Sequence, residues 1–253
     1  SKHVILAGDD DQAIYGWAGA DVKRFQQEPA KEIVLPQSYR VPKMVQHIAD
    51  NILSRIPDER RIKKEWKARD EDGSIHPITS IEDVPLHKGK WLVLARYNDK
   101  LIKLKPLLRD MGIYFEYKKR KSYSTRLYSA VENYTRWTKG SQLSISECKD
   151  LFEYFGKEFP KKEERLYDLK EFGYSHTQRW FDVFETEPED SLYIRNMMQA
   201  GEKLSKEARV KLSTIHAAKG GEAENVLLIL DNTKMIREAI EKSPDKEDEE
   251  NRI

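Results

Sequence analysis

Short apolar runs of strand length alternate with stretches of helical period along this chain, and that alternation restricts it to a layered α/β architecture. Residues 91–95 (Trp-Leu-Val-Leu-Ala) form an uninterrupted apolar run. Leu101, Leu104, Leu107 and Leu108 then recur at helical spacing through residues 100–111, Gly112 stops the helix, and residues 113–117 return to strand. The same logic predicts strands at 3–7, 32–35, 75–79, 209–215 and 225–230, and helices at 22–27 and 44–53. In the second helix Val45, Ile48, Ala49 and Ile52 share one face. Strands alternating with helices imply a parallel sheet covered by helices. Residues 55–72 are dense in charge and read as a solvated connection.

Between about residues 118 and 207 the strand signals fade. Helical stretches are predicted there at 128–137, 145–155, 178–184 and 191–204, as a helical insertion around which the sheet closes when strand signals resume at 209. Residues 241–251 are nearly all charged and are expected to be exposed.

Composition excludes several classes. With 38% hydrophobic and 35% charged residues among 253, the chain is neither disordered nor membrane-spanning, because no apolar run approaches the roughly 20 residues a bilayer requires. No signal-peptide pattern opens it. The single cysteine, Cys148, rules out an internal disulfide and suits a reducing cytoplasm. Basic and acidic residues number 45 and 44, so net charge offers no case for nucleic-acid binding, which must rest on local sites.

Three constellations carry chemistry. The first, Gly8-Asp9-Asp10-Asp11-Gln12-Ala13-Ile14-Tyr15-Gly16-Trp17-Ala18-Gly19-Ala20, follows a predicted strand, where ligands collect in open α/β sheets. The Gln12 amide both donates and accepts, so it could hold a water and a terminal phosphate together. Tyr15 and Trp17 offer faces on which unpaired bases could stack. The second, Leu35-Pro36-Gln37-Ser38-Tyr39-Arg40, ends in a guanidinium fork suited to phosphate oxygens. Tyr39 could stack on a nucleobase. The third, Leu212 to Glu222 (Leu-Ser-Thr-Ile-His-Ala-Ala-Lys-Gly-Gly-Glu), sits where a strand is expected to give way to a helix start with free backbone amides. Read singly, each could equally be an ordinary polar turn, a helix-capping arginine or a structural histidine. Two weaker signals are the pair Arg96 and Asn98 after the strand 91–95, and the basic cluster Lys118-Lys119-Arg120-Lys121 between Tyr117 and Tyr123. That cluster is either a phosphate contact or a solvated junction.

Together these runs resemble motifs III, IV and V of the UvrD/Rep-like superfamily 1 DNA helicases, in order and at similar intervals. Ala18 departs from the family's arginine, Ser38 from its asparagine, and Ala223 from the phenylalanine of many relatives. The resemblance implies a RecA-like parallel sheet flanked by helices. It divides the chain into the end of a first motor domain (1–31), the first part of a second (32–117), a shortened helical insertion (118–207) and the truncated remainder (208–253). It implies ATP and Mg²⁺ as cofactors and single-stranded and duplex DNA as partners, with 3′-to-5′ travel. Gln12 and Arg40 would be the catalytic residues, and Tyr39, Arg40, Gly220 and Glu222 would face the nucleotide. Tyr15, Trp17, Arg96, Asn98, Thr214 and His216 would face DNA. No protein ligand for a metal is assigned.

The sequence contains no Gly-x-x-x-x-Gly-Lys-[Ser/Thr] phosphate loop, and the Asp-Glu pair that holds Mg²⁺ in that family is missing before Gly8. The chain is therefore expected to be an internal piece of a longer helicase and inactive as an ATPase by itself. A nucleic-acid-binding module without ATPase activity and the motor of a helicase–nuclease are the alternatives.

Overall fold

The structure is a computed structural model that describes residues 5–16, 19, 21–29, 31, 33–204, 206–231 and 233–253. Among these residues five strands form one sheet: β1 (Trp91–Ala95), β2 (Phe115–Tyr117), β3 (Arg120–Lys121), β4 (Val210–Thr214) and β5 (Asn225–Ile229). Their spatial order is β3-β2-β4-β1-β5. β2, β4, β1 and β5 run parallel, and β3 closes one edge antiparallel to β2. A helix-covered sheet of this kind is a RecA-like α/β motor fold.

β1 is apolar on both faces and lies inside the sheet. It bonds β4 on one side and β5 on the other, and Val93 and Ala95 are fully buried. Three helices precede or flank it: α1 (Val22–Gln27), α2 (Lys43–Leu53) and α3 (Asn98–Asp110). α3 packs on the sheet through Leu101 and Leu108, both fully buried. It ends at Gly112, whose φ of +66° lets the chain reverse into β2.

Between β3 and β4 the chain forms α4 (Thr125–Thr138), α5 (Ile145–Tyr154), α6 (Trp180–Val183) and α7 (Pro188–Gln199). α5 begins at a capping box in which the Ser144 hydroxyl accepts from the Glu147 N–H and the Glu147 carboxylate accepts from the Ser144 N–H. Aromatic residues fill this region. Trp137 is fully buried, donates through Nε1 to Asp168 Oδ1 at 2.8 Å, and packs beside Tyr134, which in turn meets Phe155 and Phe184 edge-on. The helices share one continuous core with the sheet. Tyr193 on α7 donates to the Ile113 carbonyl at 2.6 Å, so its oxygen is left to accept from the Ser122 hydroxyl, also at 2.6 Å.

Several expectations need correction. Of the predicted strands at 3–7, 32–35 and 75–79, the described residues 5–7, 33–35 and 75–79 carry no strand, while residues 3, 4 and 32 lie outside the described residues. An apolar run becomes a strand only where a neighbour completes its ladder; here Ile5 is 91% and Ile33 77% exposed. The charged stretch 55–72 is not simply solvated, since Arg61 and Lys64 bind Asp11 and its neighbours. Nor is the charged tail exposed throughout. Its residues belong to α8 (Lys234–Lys242) and α9 (Pro244–Arg252), and Asp248 and the Glu250 side chain are buried.

Candidate nucleotide and nucleic-acid site

Asp10–Gln12 forms a single 3-10 turn capped by Asp9, whose carboxylate accepts from the Asp11 N–H at 3.2 Å. The Gln12 side-chain amide folds back and donates to Asp9 Oδ2 at 2.6 Å. Three adjacent carboxylates would repel one another, and the Lys64 ammonium stands among them. It lies 2.6 Å from Asp9 and 2.9 Å from Asp11, with Asp10 closer still. Burial pushes the Asp10 carboxyl up, but the Lys64 cation and the Ile62 N–H hold it below the usual range. Sequence reasoning missed Lys64 because its partners lie more than 50 positions earlier.

The third constellation folds differently from expectation. No helix follows β4. Residues 215–220 form successive turns, and the amides of Ala217, Ala218, Lys219 and Gly221 are already donated within the loop. The loop is a junction. Tyr15 donates to the His216 carbonyl at 2.6 Å and meets its ring edge-on, with centroids 5.7 Å apart. Lys219 donates to the Gln12 carbonyl at 2.7 Å and lies 5.4 Å from the Tyr15 ring centre. Arg40 donates to the Gly220 carbonyl at 3.3 Å. One loop thus binds both the Gln12 turn and the Arg40 segment.

Beside it lies an open groove of about 270 Å³ lined by Arg96, Tyr97, Asn98, Thr214 and His216. Its composition follows from topology. β1 and β4 are parallel neighbours with Ala95 opposite Thr214, so the residues leaving their carboxyl ends emerge side by side. Four of the five lining residues are those that sequence assigned to DNA. Arg96 is not an idle cation, however. Its Nε and Nη2 donate to Glu250 at 3.2 and 2.9 Å, and its Nη1 lies 3.1 Å from His216 Nδ1. Burial and then the Arg96 charge hold the His216 imidazole below its ordinary pKa. Lys246 also reaches Glu250, at 3.1 Å. Glu250 escaped sequence analysis because it lies in a run of charges with no pattern to set it apart.

Of the residues expected to face a nucleotide, Tyr39 is 84% exposed, Arg40 and Glu222 are exposed, and Gly220 has φ of +83° with open space where a side chain would project. An exposed aromatic face, a guanidinium fork and an unobstructed glycine suit a nucleotide's base and phosphates. Asp9, Asp10 and Asp11 bring three carboxylates within 4.8 Å of one another, and the Lys64 ammonium stands among them with Arg61 beside Asp11. Trp17 lies outside the described residues.

Residues 102–253, more than half of the chain, match the UvrD-like helicase C-terminal domain. The chain belongs to that family. Among curated relatives, the ATP-dependent DNA helicase PcrA of Staphylococcus aureus is 35% identical over 80 residues, covering 30% of this chain and 11% of that protein. The PcrA of Staphylococcus epidermidis is 38% identical over 72 residues, covering 26% and 10%. The matched stretch spans about a tenth of the length of these relatives. Like the UvrD-like domain in general, this chain is related to DNA helicases, and none of its described helices is long and apolar enough to cross a membrane.

Proposed function

We propose that this UvrD-like chain is part of the motor of an ATP-dependent DNA helicase that moves along single-stranded DNA, 3′ to 5′, and unwinds duplex. The observation that supports it most is the 215–220 loop. It is bonded to Tyr15, to the Gln12 turn and to Arg40, while its His216 side chain lines the groove. A displacement of Arg40 or Gln12 on nucleotide binding is therefore transmitted to the DNA side through bonded neighbours. In this reading residues 1–31 close a first motor domain, 32–117 and 208–253 make a second, and 118–207 are a shortened helical insertion.

When bound, ATP with Mg²⁺ supplies the phosphoryl-transfer energy. Arg40 stabilises negative charge on the terminal phosphate, Gln12 orients the attacking water, and Tyr39, Gly220 and Glu222 hold the nucleotide. The DNA strand lies along Tyr15, Trp17, Arg96, Asn98, Thr214 and His216. Because the sequence has no phosphate loop, the 253-residue chain alone hydrolyses no ATP.

The test is a comparison in the longer protein. Gln12→Ala and Arg40→Ala should each lower DNA-stimulated kcat by on the order of 10²-fold, with nucleotide-free DNA binding nearly intact. His216→Ala and Asn98→Ala should do the reverse. Parental turnover in either of the first two variants would remove the catalytic assignment, and ATP hydrolysis by the isolated chain would contradict its dependence on a phosphate loop.

A further inference from the structure

The turn between β2 and β3 carries a cost and a charge that nothing else in the fold explains. Lys118 and Lys119 have φ of +50° and +61°. Two consecutive residues with positive φ between antiparallel strands make the tight hairpin turn that Asn-Gly or Gly-Gly ordinarily occupies. A side chain in that region costs about 1–2 kcal/mol per residue. Lysine is therefore a poor choice for folding.

Its partners here are aromatic rather than acidic: Lys121 donates to the Tyr123 hydroxyl at 3.4 Å, and Lys118 lies near the Tyr117 ring. Among the described residues none of Lys118, Lys119, Arg120 and Lys121 forms an ion pair, although most other regions of the chain are laced with them. Glu116 stands across the ladder from Lys121 yet does not pair with it. All four basic residues are exposed. A fifth cation crowds the same place. The Lys105 Nζ lies 3.9 Å from the centre of the Tyr117 ring, and Lys118 approaches that ring at 5.3 Å. Burial and then the Lys118 charge press the Lys105 ammonium below its ordinary pKa. Uncompensated like charges on a strained turn are what an anionic partner would relieve.

Tyr117 also points to the partner, because its hydroxyl donates to Asn98 Oδ1 at 2.9 Å and Asn98 lines the groove beside His216. Resting on the reading of that groove as a DNA site, we propose that the Lys118–Lys121 hairpin tip continues it, holding the phosphates of single-stranded DNA that leaves the groove past Asn98 and Tyr117. The lysines contact phosphates without reading bases, so the contact is insensitive to sequence and sensitive to salt.

The test exploits the opposition between strain and charge. The double variant Lys118→Asn/Lys119→Gly installs the residues that the turn prefers and removes two cations. Its melting temperature should equal or exceed the parent's. Its affinity for a labelled oligothymidylate, read by fluorescence anisotropy in the full chain, should fall roughly 10- to 30-fold near 0.1 M salt. The slope of log affinity against log salt should become shallower by about 1.4, the value for two lost single-strand phosphate contacts. His216→Ala and Asn98→Ala are measured alongside. If they weaken binding while the double variant binds as the parent does with an unchanged salt slope, the hairpin proposal is wrong and the groove stands. If none of the three variants changes binding, or the parent does not bind, the groove reading itself fails. Because the double variant relieves strain, loss of folding cannot mimic the expected result, and a fall in its melting temperature would itself refute the strain argument.

Discussion

Tyr15 donates its phenolic hydrogen to the main-chain oxygen of His216, 201 residues away, at 2.6 Å. The bond ties the segment after the Asp9–Gln12 turn to the loop that leaves β4, and the two rings meet edge-on as well. Tyr15→Phe keeps the ring contact and removes only the hydrogen bond. The expected loss is about 1 kcal/mol, or a fall of about 2–4 °C in melting temperature for a chain of this size. Calorimetry of the single variant checks it, and an unchanged transition would show that the bond contributes nothing.

His216 makes stability depend on pH in a defined direction. Its imidazole has a lowered pKa in the folded chain, so the unfolded chain binds the extra proton first as pH falls below about 6.5. The stabilisation from the neutral imidazole is complete above that value and is lost as pH drops toward the folded pKa. Melting temperature should therefore decline between pH 7.5 and 5.5, and the decline should be smaller in His216→Gln. Equal pH profiles for the two proteins would mean that other groups control this range. Asp10 and Glu250, whose lowered pKa values lie in the acid range, contribute stability above the ordinary carboxylate values and lose it only in stronger acid.

Lys64→Ala leaves three neighbouring carboxylates without their shared cation, although Arg61 still reaches Asp11 at 3.0 Å. Asp10 is only 2% exposed, so water cannot fully replace the ammonium. Removing one member of a buried ion pair costs about 3–5 kcal/mol. The partial exposure of Lys64 places this case lower, at about 2–3 kcal/mol, or a fall of roughly 5–10 °C. Lys64→Arg should recover much of it. Thermal melts of both variants decide whether charge or packing is responsible.

Gly112→Ala attacks a different joint. The new methyl carbon would lie 2.7 Å from the Asn196 carbonyl oxygen, on backbone that cannot swing aside, and φ there is +66°. Strain and clash together should cost about 2–4 kcal/mol. Gly140→Ala is the control, since its φ is +95° with nothing within 4 Å of the added atom, so it measures the backbone cost alone. A loss no greater at Gly112 than at Gly140 would show that α3 and α7 separate without penalty.

How far the sequence foretold this structure depended on whether a residue's partners were near it. β1, β4 and β5 were legible because each is a continuous apolar run with neighbours on the sheet. α5 was legible as a helical stretch at 145–155, and the Ser144–Glu147 capping box that starts it was seen only in the structure. Asn98 and His216 were grouped in the sequence only through the family resemblance; that they line one groove follows from β1 and β4 being parallel neighbours, which the structure supplies. Lys64 and Glu250 were hidden because a charge run carries no mark of the distant residue it will meet. Residues 33–35 and 75–79 misled in the opposite sense, since apolar runs of the right length were present without a ladder to join. In place of the helix expected after β4 there are successive turns, from which Lys219 reaches back to the Gln12 carbonyl while the Gly220 carbonyl accepts from Arg40.

The place of β4 between β2 and β1 has a consequence for synthesis on the ribosome. β1 and β2 leave the exit tunnel early, yet each waits for the same later strand to fill the gap between them, and β1 waits for β5 besides. The helices from α4 to α7 emerge in the interval. Until residue 214 has cleared the tunnel, β1 offers two bare edges with Val93 uncovered, a surface that invites pairing with another nascent chain. Chaperone demand should therefore peak while the helical segment is being made and fall once β4 slots home.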